Sequence, residues 1–261
     1  KPPKEKAERI INGKPISLDH HFERISAGLE ALKVNCDNSF TLTSISSLIK
    51  KLISHNNIQK GGKIRLTAYR NGMGTYKPAN NNLSFLIEAE NHPVNFYELN
   101  NEGIIIDVFK EMFKPSNSIS KFKTLNGLLY VLASEYAKEK SLDDSLIIND
   151  IGKIIEATSS NLFIVSNGVL YTPPLNDGCV GGIMRMMVIN TALSNNITVY
   201  ENSLTPQNLL NADEVFLTNS INGLKWVRGF QQKRYFNDTS KKIIDLINEQ
   251  LINYEKDLKE N

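Results

Sequence analysis

The sequence predicts a two-domain protein that mixes helices and strands, an α/β (α+β) fold. A chain of 261 residues with 41% hydrophobic side chains is long enough to build a core divided between two domains. Segments with apolar residues at helical spacing alternate with short apolar runs typical of strands. The polar segment PSNSIS (115–120), opened by a proline, predicts a linker. We therefore expect a small N-terminal domain over 1–114, a linker over 115–122 and a larger C-terminal domain over 123–261.

The N-terminal domain is predicted to begin with a hairpin in RIINGKPISL (9–18), where Asn12-Gly13 forms the turn between two apolar runs. Two helices follow, because apolar residues recur at intervals of three and four over 20–32 and 44–58. The remaining predicted elements are strands over 62–72, 83–90 and 104–108, with a glycine-rich bend over 71–78.

The C-terminal domain is predicted to alternate helices with short strands. Helical spacing predicts helices over 125–140 and 182–194 and in the tail from Lys241, whose apolar face is expected to serve packing. Thr205 as a cap and Pro206 after it predict a short helix over 205–212. Short apolar runs predict extended segments over 145–150, 153–158, 162–168, 169–174, 197–204 and 213–220.

Composition narrows the possible functions. A net charge of +2 is too mild to indicate a nucleic-acid or membrane surface, and no apolar run approaches the roughly 18–20 residues needed to span a bilayer. The two cysteines, Cys36 and Cys179, form neither a disulfide framework nor a zinc pattern. We expect no nucleic-acid partner, no membrane association and no metal, and a location in the reducing cytoplasm.

Three stretches of the second half place small polar residues or glycines where a strand meets a turn or a helix. They are EATSSN (156–161), VGGIMR (180–185) and TNSIN (218–222). The glycines of VGGIMR precede a helix, and the N–H groups and dipole at such an end favour an anion, usually phosphate. Each signal alone is more typical of a simple turn. Together, a phosphate cradle, a carboxylate among hydroxyls and a lysine at an element boundary are what pyridoxal phosphate requires.

Five segments resemble the class IV (fold type IV) pyridoxal-phosphate enzymes, which include D-amino-acid aminotransferase, branched-chain aminotransferase and aminodeoxychorismate lyase. They are HFERI (21–25), KTLNGLL (123–129), EATSSNLFIV (156–165), VGGIMR (180–185) and ADEVFLTNSINGLKWV (212–227), in the family's order. The resemblance implies a small N-terminal α/β domain and a larger C-terminal pseudo-barrel domain. It also implies pyridoxal 5'-phosphate as cofactor, a small-molecule amino substrate and a homodimer.

The resemblance assigns the two catalytic roles. Lys123 matches the lysine that forms the Schiff base, and the Leu-Asn that follows favours it over its neighbour Lys121. Glu156 matches the acid that faces the pyridine nitrogen of the cofactor. The polar side chains of 158–161 are expected to hold that carboxylate in place.

The resemblance also assigns the remaining contacts with the cofactor. Arg24 matches the arginine that grips the phosphate with its forked donors. Ile183 and Met184 occupy the positions whose backbone N–H groups bind the phosphate, and Ser220 supplies a hydroxyl to it. Val180 matches an aliphatic residue that packs against the ring.

Several of these residues also have a plainer interpretation. Arg24 is equally consistent with an arginine on a helix surface, and Ser220 with a turn residue. Arg185 is expected to make a supporting ion pair, and Cys179 to be a small buried residue.

The choice of activity within the family depends on other positions. Leu128 lies five residues after Lys123, where branched-chain enzymes carry tyrosine, and this counts against that subgroup. Arg70 and Tyr76 resemble the substrate-binding bend of the lyase, although Thr75 stands where a second arginine is usual. The segment PPKEKAE (2–8) is charged where the family has an apolar strand.

The sequence therefore favours 4-amino-4-deoxychorismate lyase, which releases pyruvate and 4-aminobenzoate. An amino-acid aminotransferase of the D-amino-acid or branched-chain type is the alternative. A non-catalytic relative is the third possibility, which retention of Lys123 and Glu156 argues against.

Overall fold

The structure is a computed structural model that describes residues 7–74 and 76–260. Residues 2–6 of the charged N-terminal segment and Thr75 lie outside the described residues, as do the inferences drawn from them. For residues 254–260 only the helical backbone is described.

The described chain divides into two compact units. One contains the residues up to Phe96 together with Phe122–Leu125; the other contains Tyr97–Lys121 and the residues from Asn126 onward. The division thus falls before the predicted boundary at 114, because a strand over 104–114 pairs with strands of the second unit. The predicted linker at 115–120 continues from that strand and is also part of the second unit.

The described part of the first unit contains an antiparallel sheet and two helices. Its strands are β1 (Ala7–Ile11), β2 (Lys14–Pro15), β3 (Gly62–Arg70) and β4 (Leu83–Asn91), in the order β2-β1-β3-β4, and its helices are α1 (Leu18–Ala31) and α2 (Leu42–His55). The predicted hairpin is confirmed, since Asn12 and Gly13 both have positive φ, as a tight two-residue hairpin turn requires. The two helices bury apolar faces against the sheet, as the spacing of Ile25, Leu29, Ile45 and Ile49 predicts.

In its described residues the second unit contains nine strands and four helices. The strands are β5 (Ile104–Lys114), β6 (Asp144–Asn149), β7 (Ile154–Ala157), β8 (Asn161–Ser166), β9 (Val169–Thr172), β10 (Val199–Glu201), β11 (Glu214–Asn219), β12 (Gly223–Phe230) and β13 (Lys233–Arg234). The helices are α3 (Leu128–Glu139), α4 (Ile183–Ser194), α5 (Pro206–Asn211) and α6 (Asp238–Glu260).

Part of the large sheet closes on itself. The strands follow the order β8-β11-β12-β5-β6-β7, and β7 pairs with β8 again, so that this path forms a ring. The interior is filled by apolar side chains from several of these strands, including Ile106, Leu146, Leu162, Leu217 and Val227. The pseudo-barrel implied by the resemblance is therefore confirmed.

Strands β5 and β12 differ clearly from the sequence prediction, and the short strand β13 was not predicted either. Strand β5 continues to Lys114, beyond the predicted end at 108, through residues whose charged and exposed side chains hide the strand pattern. Strand β12 was not predicted, because Lys225 and Arg228 interrupt its apolar residues. Gly223 starts β12 at φ 70, and a side chain there would collide with the ring of Tyr97.

Helix α3 packs against the outside of the ring. Its residue Ala133 lies in one buried cluster with Phe109 of β5, Ile147 of β6, Ile155 of β7 and Cys179. Fully burying apolar side chains such as Phe109 and Ile147 contributes about 1.5–3 kcal/mol each, so α3 is firmly held against β5 and β6.

Helix α6 is tied to the sheet by polar as well as apolar contacts. Ile243, Ile244 and Ile247 are buried, which confirms the predicted packing face. The buried carboxylate of Glu214, at the start of β11, accepts the N–H groups of Thr239 (2.7 Å) and Ser240 (3.1 Å) in the first turn of α6. None of the helices in the described part of the chain is long and apolar enough to cross a membrane.

Candidate active site

The carboxylate of Glu156 is the centre of the best-defined polar site. Its strand β7 is fully buried, and the Glu156 residue is only 3% exposed. Oε1 accepts hydrogen bonds from Lys114 Nζ at 2.8 Å and from the Tyr130 hydroxyl at 2.7 Å. Oε2 accepts the backbone N–H of Val180 at 2.8 Å. The carboxylate is therefore buried with one cation and two neutral donors.

The polar residues that follow Glu156 do not hold it directly, so that expectation is wrong. The Thr158 hydroxyl donates to Asp144 Oδ1 at 2.6 Å, and Ser160 Oγ accepts from the Asn219 amide at 3.0 Å. Asn161 donates its amide to the Val180 carbonyl at 2.7 Å. These residues organise the surrounding turns instead.

The peptide of Val180 is fixed from two sides. Glu156 and Asn161 are paired across β7 and β8, so one accepts the Val180 N–H while the other donates to the Val180 carbonyl. Asn161 lies so close to Gly182 that a Cβ at that position would collide with its Oδ1. The second glycine of VGGIMR, Gly182, is therefore required because Asn161 approaches it so closely. The hydrogen bonds to Val180 hold the backbone before α4 rigidly.

The start of α4 offers donors to an anion. Gly182 is the N-cap, and the N–H groups of Ile183 and Met184 lie in the first turn, where no acceptor within the helix is available. Asn161, which contacts Gly182, pairs across the sheet with Thr218. Thr218 Oγ1 is buried and makes no hydrogen bond within the described part of the chain.

Ser220 follows closely at the end of β11. Its carbonyl accepts the Tyr97 hydroxyl at 3.0 Å. The backbone of Tyr97 is in turn bonded to the Asn248 side chain of α6, at 3.2 Å through N–H and 2.8 Å through the carbonyl. Asn219 Oδ1 accepts the N–H of Asn222 at 2.8 Å and so tightens the turn around Ser220.

These features fit pyridoxal phosphate. Glu156 is a buried carboxylate suited to a protonated ring nitrogen. The first turn of α4 and the buried hydroxyl of Thr218 are suited to a phosphate. Both features belong to one continuous part of the second unit, connected through Val180 and Asn161.

Burial keeps the other titratable groups around Glu156 uncharged. Burial, with the nearby charge of Glu156, raises the pKa of the Tyr130 hydroxyl well above its usual range. The same two causes raise the pKa of the Cys179 thiol to about 12. Cys179 is a small buried residue, as predicted, and the ion pair at this site is that of Lys114 with Glu156.

Arg24 belongs to a buried polar cluster in the first unit. It lies on α1 with His21, whose Nδ1 is 3.9 Å from Oε1 of Glu8 on β1. Burial lowers the pKa of Arg24 to about 10, while the charge of Glu8 opposes this shift. Arg24 is partly buried beside Glu8, and its role toward a phosphate stays a prediction.

The other predicted residues of the first unit are placed as follows. Lys123 is partly buried and lies in the segment Phe122–Leu125. The Arg70 guanidinium donates to Asn81 Oδ1 at 2.9 Å and also to the Leu32 carbonyl. Tyr76 is fully exposed.

Two neighbours of Lys123 and Ile183 have structural roles. Lys121 is exposed, and its carbonyl accepts the Gly181 N–H at 2.9 Å, which helps to hold the loop before α4. Arg185 is buried and pairs with Glu201 at 2.7 Å, so its predicted supporting ion pair is confirmed.

Lys114 and Tyr130 were missed by sequence reasoning. Lys114 ends a strand whose last residues have no clear strand pattern, and it lies 42 positions from Glu156. Tyr130 carries a weak signal, because it shares a helix face with the small residues Ala133 and Ala137, which predicts that this face is buried.

Comparison with known proteins gives consistent results. The family model described as amino-transferase class IV matches residues 7–229. D-alanine aminotransferase of Bacillus licheniformis is 29% identical over 212 residues, which cover 81% of this chain and 73% of that protein.

Solved structures share the fold. The protein named "Putative 4-amino-4-deoxychorismate lyase" from Legionella pneumophila superimposes with a TM-score of 0.83 at 24% identity, over 95% of this chain and 91% of that one. Branched-chain amino acid aminotransferase from Thermobaculum terrenum in its PLP form gives a TM-score of 0.85 at 20% identity, over 94% and 83% of the two chains. At these identities the likeness shows the fold type IV architecture and no more.

The polar cluster of Glu8, His21 and Arg24 in the first unit predicts that the stability of the protein depends on pH. Burial raises the pKa of Glu8 from 4.5 to about 8, against the opposing charge of Arg24. Between these values the folded protein keeps a proton that the unfolded chain releases, so the free energy of unfolding falls as pH rises through this window. The contribution of the Glu8 proton to the free energy of unfolding is fully present below pH 4.5 and is lost as pH rises through about 8.

The change Glu8→Gln, which stays uncharged, should remove this slope. The measurement is the urea midpoint of the cofactor-free protein between about pH 5 and about pH 8. Glu23→Gln, at an exposed position of α1, is the matched control and should keep the native slope. An unchanged slope in Glu8→Gln would show that this carboxyl does not hold its proton in the folded protein.

Proposed function

This chain belongs to the class IV aminotransferase family, and on that premise we propose that it is a pyridoxal-phosphate-dependent aminotransferase of α-amino acids. The family depends on pyridoxal phosphate, and amino acids are its substrates. The observation that carries the proposal is the buried Glu156 carboxylate, joined through Val180 to the anion-binding start of α4.

The bound cofactor supplies an electron sink for the carbon that carries the substrate's amino group. Glu156 would accept a hydrogen bond from the ring nitrogen and so favour its protonated form. The N–H groups of Ile183 and Met184, with the hydroxyl of Ser220, would hold the phosphate. Val180 would pack against the ring.

We assign to Arg24 and Lys123 the roles that their motifs imply. The guanidinium of Arg24 would bind phosphate oxygens through two parallel hydrogen bonds. Nζ of Lys123 would hold the cofactor covalently until the amino group of the substrate displaces it. The free amine would then move a proton from the α carbon of the substrate to C4′ of the cofactor.

Similarity along the chain supports the aminotransferase over the lyase. The relative that matches 81% of this chain at 29% identity is named a D-alanine aminotransferase. We therefore place an aminotransferase acting on a small amino acid, with D-alanine as the first substrate to test, ahead of the lyase that the sequence motifs favour.

The lyase is kept as the second candidate because of one feature. Arg70 and Tyr76, with the glycines between them, resemble the substrate-binding bend of that enzyme. In the structure the Arg70 guanidinium contacts Asn81 and Leu32, so binding a substrate carboxylate would require it to leave these partners.

A direct assay separates the candidates. The purified protein with added cofactor is incubated with D-alanine or L-leucine and a 2-oxo acid, or with enzymatically generated 4-amino-4-deoxychorismate. We expect pyruvate and a new amino acid from D-alanine. Release of 4-aminobenzoate without transamination would establish the lyase instead. Cofactor binding with no turnover of any of these substrates would favour the non-catalytic relative.

The assignment of Lys123 predicts where the cofactor is attached. Borohydride reduction of the loaded native protein should fix the cofactor's mass on the peptide that contains Lys123, and Lys123→Ala should abolish that modification. Lys121→Ala is the matched control and should keep it, since Lys121 contributes its backbone carbonyl to the loop. Modification retained in Lys123→Ala and lost in Lys121→Ala would transfer the role to Lys121.

We further propose that the chain forms a homodimer. Helix α3 has a stripe of apolar side chains on its outer face, with Leu128 68%, Val131 51% and Leu132 41% exposed. Met112 and Phe113, at the exposed end of β5, add to the apolar surface of the second unit. An exposed apolar stripe such as that of α3 favours a protein partner, and a second copy of the chain is the partner that the resemblance implies.

The double change L128E/V131E should weaken the dimer. Placing two charges in an apolar interface should raise the dissociation constant at least about tenfold, as measured by light scattering during size-exclusion chromatography. L193E is the matched control, since Leu193 is 55% exposed on α4. A monomeric native protein, or a double variant as dimeric as L193E, would contradict this interface.

A further inference from the structure

We propose that Lys114 and Tyr130 are positioning residues that turn Oε2 of Glu156 toward the cofactor, and that the cation of Lys114 also keeps this carboxylate ionised. This inference rests on the proposed role of Glu156 as partner of the ring nitrogen. Neither residue belongs to the motifs that identify the family in this sequence.

Lys114 is held in place at the end of β5. Its side chain is 12% exposed, and Nζ lies 2.8 Å from Glu156 Oε1. The same Nζ donates to the Ser120 carbonyl at 3.0 Å and lies 5.8 Å from the centre of the Tyr130 ring. Three contacts from different parts of the chain therefore fix the direction of this ammonium group.

The segment predicted as a linker supplies one of these contacts. The Ser120 hydroxyl donates to the Pro115 carbonyl at 2.7 Å and accepts the Asn117 N–H at 3.1 Å. These bonds fold 115–120 into a compact turn that presents the Ser120 carbonyl to Lys114. The segment therefore supports the site.

Tyr130 approaches the same oxygen from α3. Its hydroxyl donates to Glu156 Oε1 at 2.7 Å, and the buried contacts of Ala133 with Phe109 hold this part of the helix against the sheet. Lys114 and Tyr130 therefore occupy Oε1 together.

The acceptor capacity of the carboxylate shows which oxygen is left for a ligand. Each carboxylate oxygen can accept about two hydrogen bonds. Oε1 already accepts two, whereas within the described residues Oε2 accepts one, from Val180. The remaining acceptor position is therefore on Oε2, and a ring N–H would bind there.

The positive charge of Lys114 also favours the ionised form of Glu156. A buried carboxylate with no cation beside it takes up a proton readily, because desolvation penalises the charged form. Tyr130 and Cys179 face Glu156 and stay neutral at neutral pH, and Arg185 is paired with Glu201. Within the described residues, the ion pair of Glu156 is the one with Lys114.

The test measures cofactor affinity by equilibrium dialysis between about pH 6 and about pH 8. Lys114→Met should weaken cofactor binding roughly tenfold at neutral pH, because Glu156 loses the charge-assisted hydrogen bond from Lys114 that orients its carboxylate. Its affinity should fall further as pH is lowered, because a protonated Glu156 no longer accepts the ring N–H. Native protein should show little change over this range.

Two further variants separate positioning from packing. Lys114→Arg retains the cation and should restore both the affinity and the flat pH profile. Tyr130→Phe should weaken binding by roughly three- to tenfold without adding a pH slope, since it removes a neutral donor. Lys138→Met and Tyr136→Phe on α3 are matched controls; Lys138 is exposed, and the Tyr136 ring packs against Phe109.

The outcomes separate this inference from the proposed function. If native protein binds the cofactor and Lys114→Met binds it equally well with the same pH profile, the inference is wrong and the proposed function stands. A Lys114→Arg variant as defective as Lys114→Met would show that Lys114 acts through packing alone. If native protein binds no cofactor, both proposals are refuted. Circular dichroism of each variant establishes that it is folded, and Tyr130→Phe tests the inference should Lys114→Met not fold.

Discussion

An ionised carboxylate buried in a closed sheet is the constraint on which the second unit depends. The side chain of Glu156 is 4% exposed, and an isolated charge in that environment would be very costly. Three donors offset the cost, and they come from the end of β5, from α3 and from the loop before α4. Each donor belongs to a different element. The Glu156 side chain on β7 therefore fixes the positions of β5, α3 and the loop before α4 relative to one another.

The loop before α4 connects two chemically different regions. The Val180 N–H is committed to a carboxylate, whereas the N–H groups of Ile183 and Met184 are open to an anion. Asn161 prevents the peptide between them from rotating, and its close approach to Gly182 excludes any larger residue there. The distance between the Glu156 carboxylate and the first turn of α4 is thus fixed by a short stretch of backbone.

The fold and part of the site could be predicted from the sequence because their signals are local. Apolar spacing predicted most helices and strands, and short motifs predicted Glu156 and the glycines before α4. Strand β12 was missed because charged residues interrupt its pattern. Lys114 and Tyr130 act through contacts with a residue 42 and 26 positions away, and no local pattern distinguishes a buried lysine from an exposed one.

The attachment of α6 has a consequence for how the site keeps its shape. Glu214 ties the first residue of β11 to the start of α6, and Asn248 of α6 holds Tyr97, which bonds to Ser220 just beyond the last residue of β11. Helix α6 thus holds both ends of β11 in place. A tail whose sequence suggests packing alone therefore limits how far the Ser220 turn can move, and a change at Asn248 would reach that turn through Tyr97.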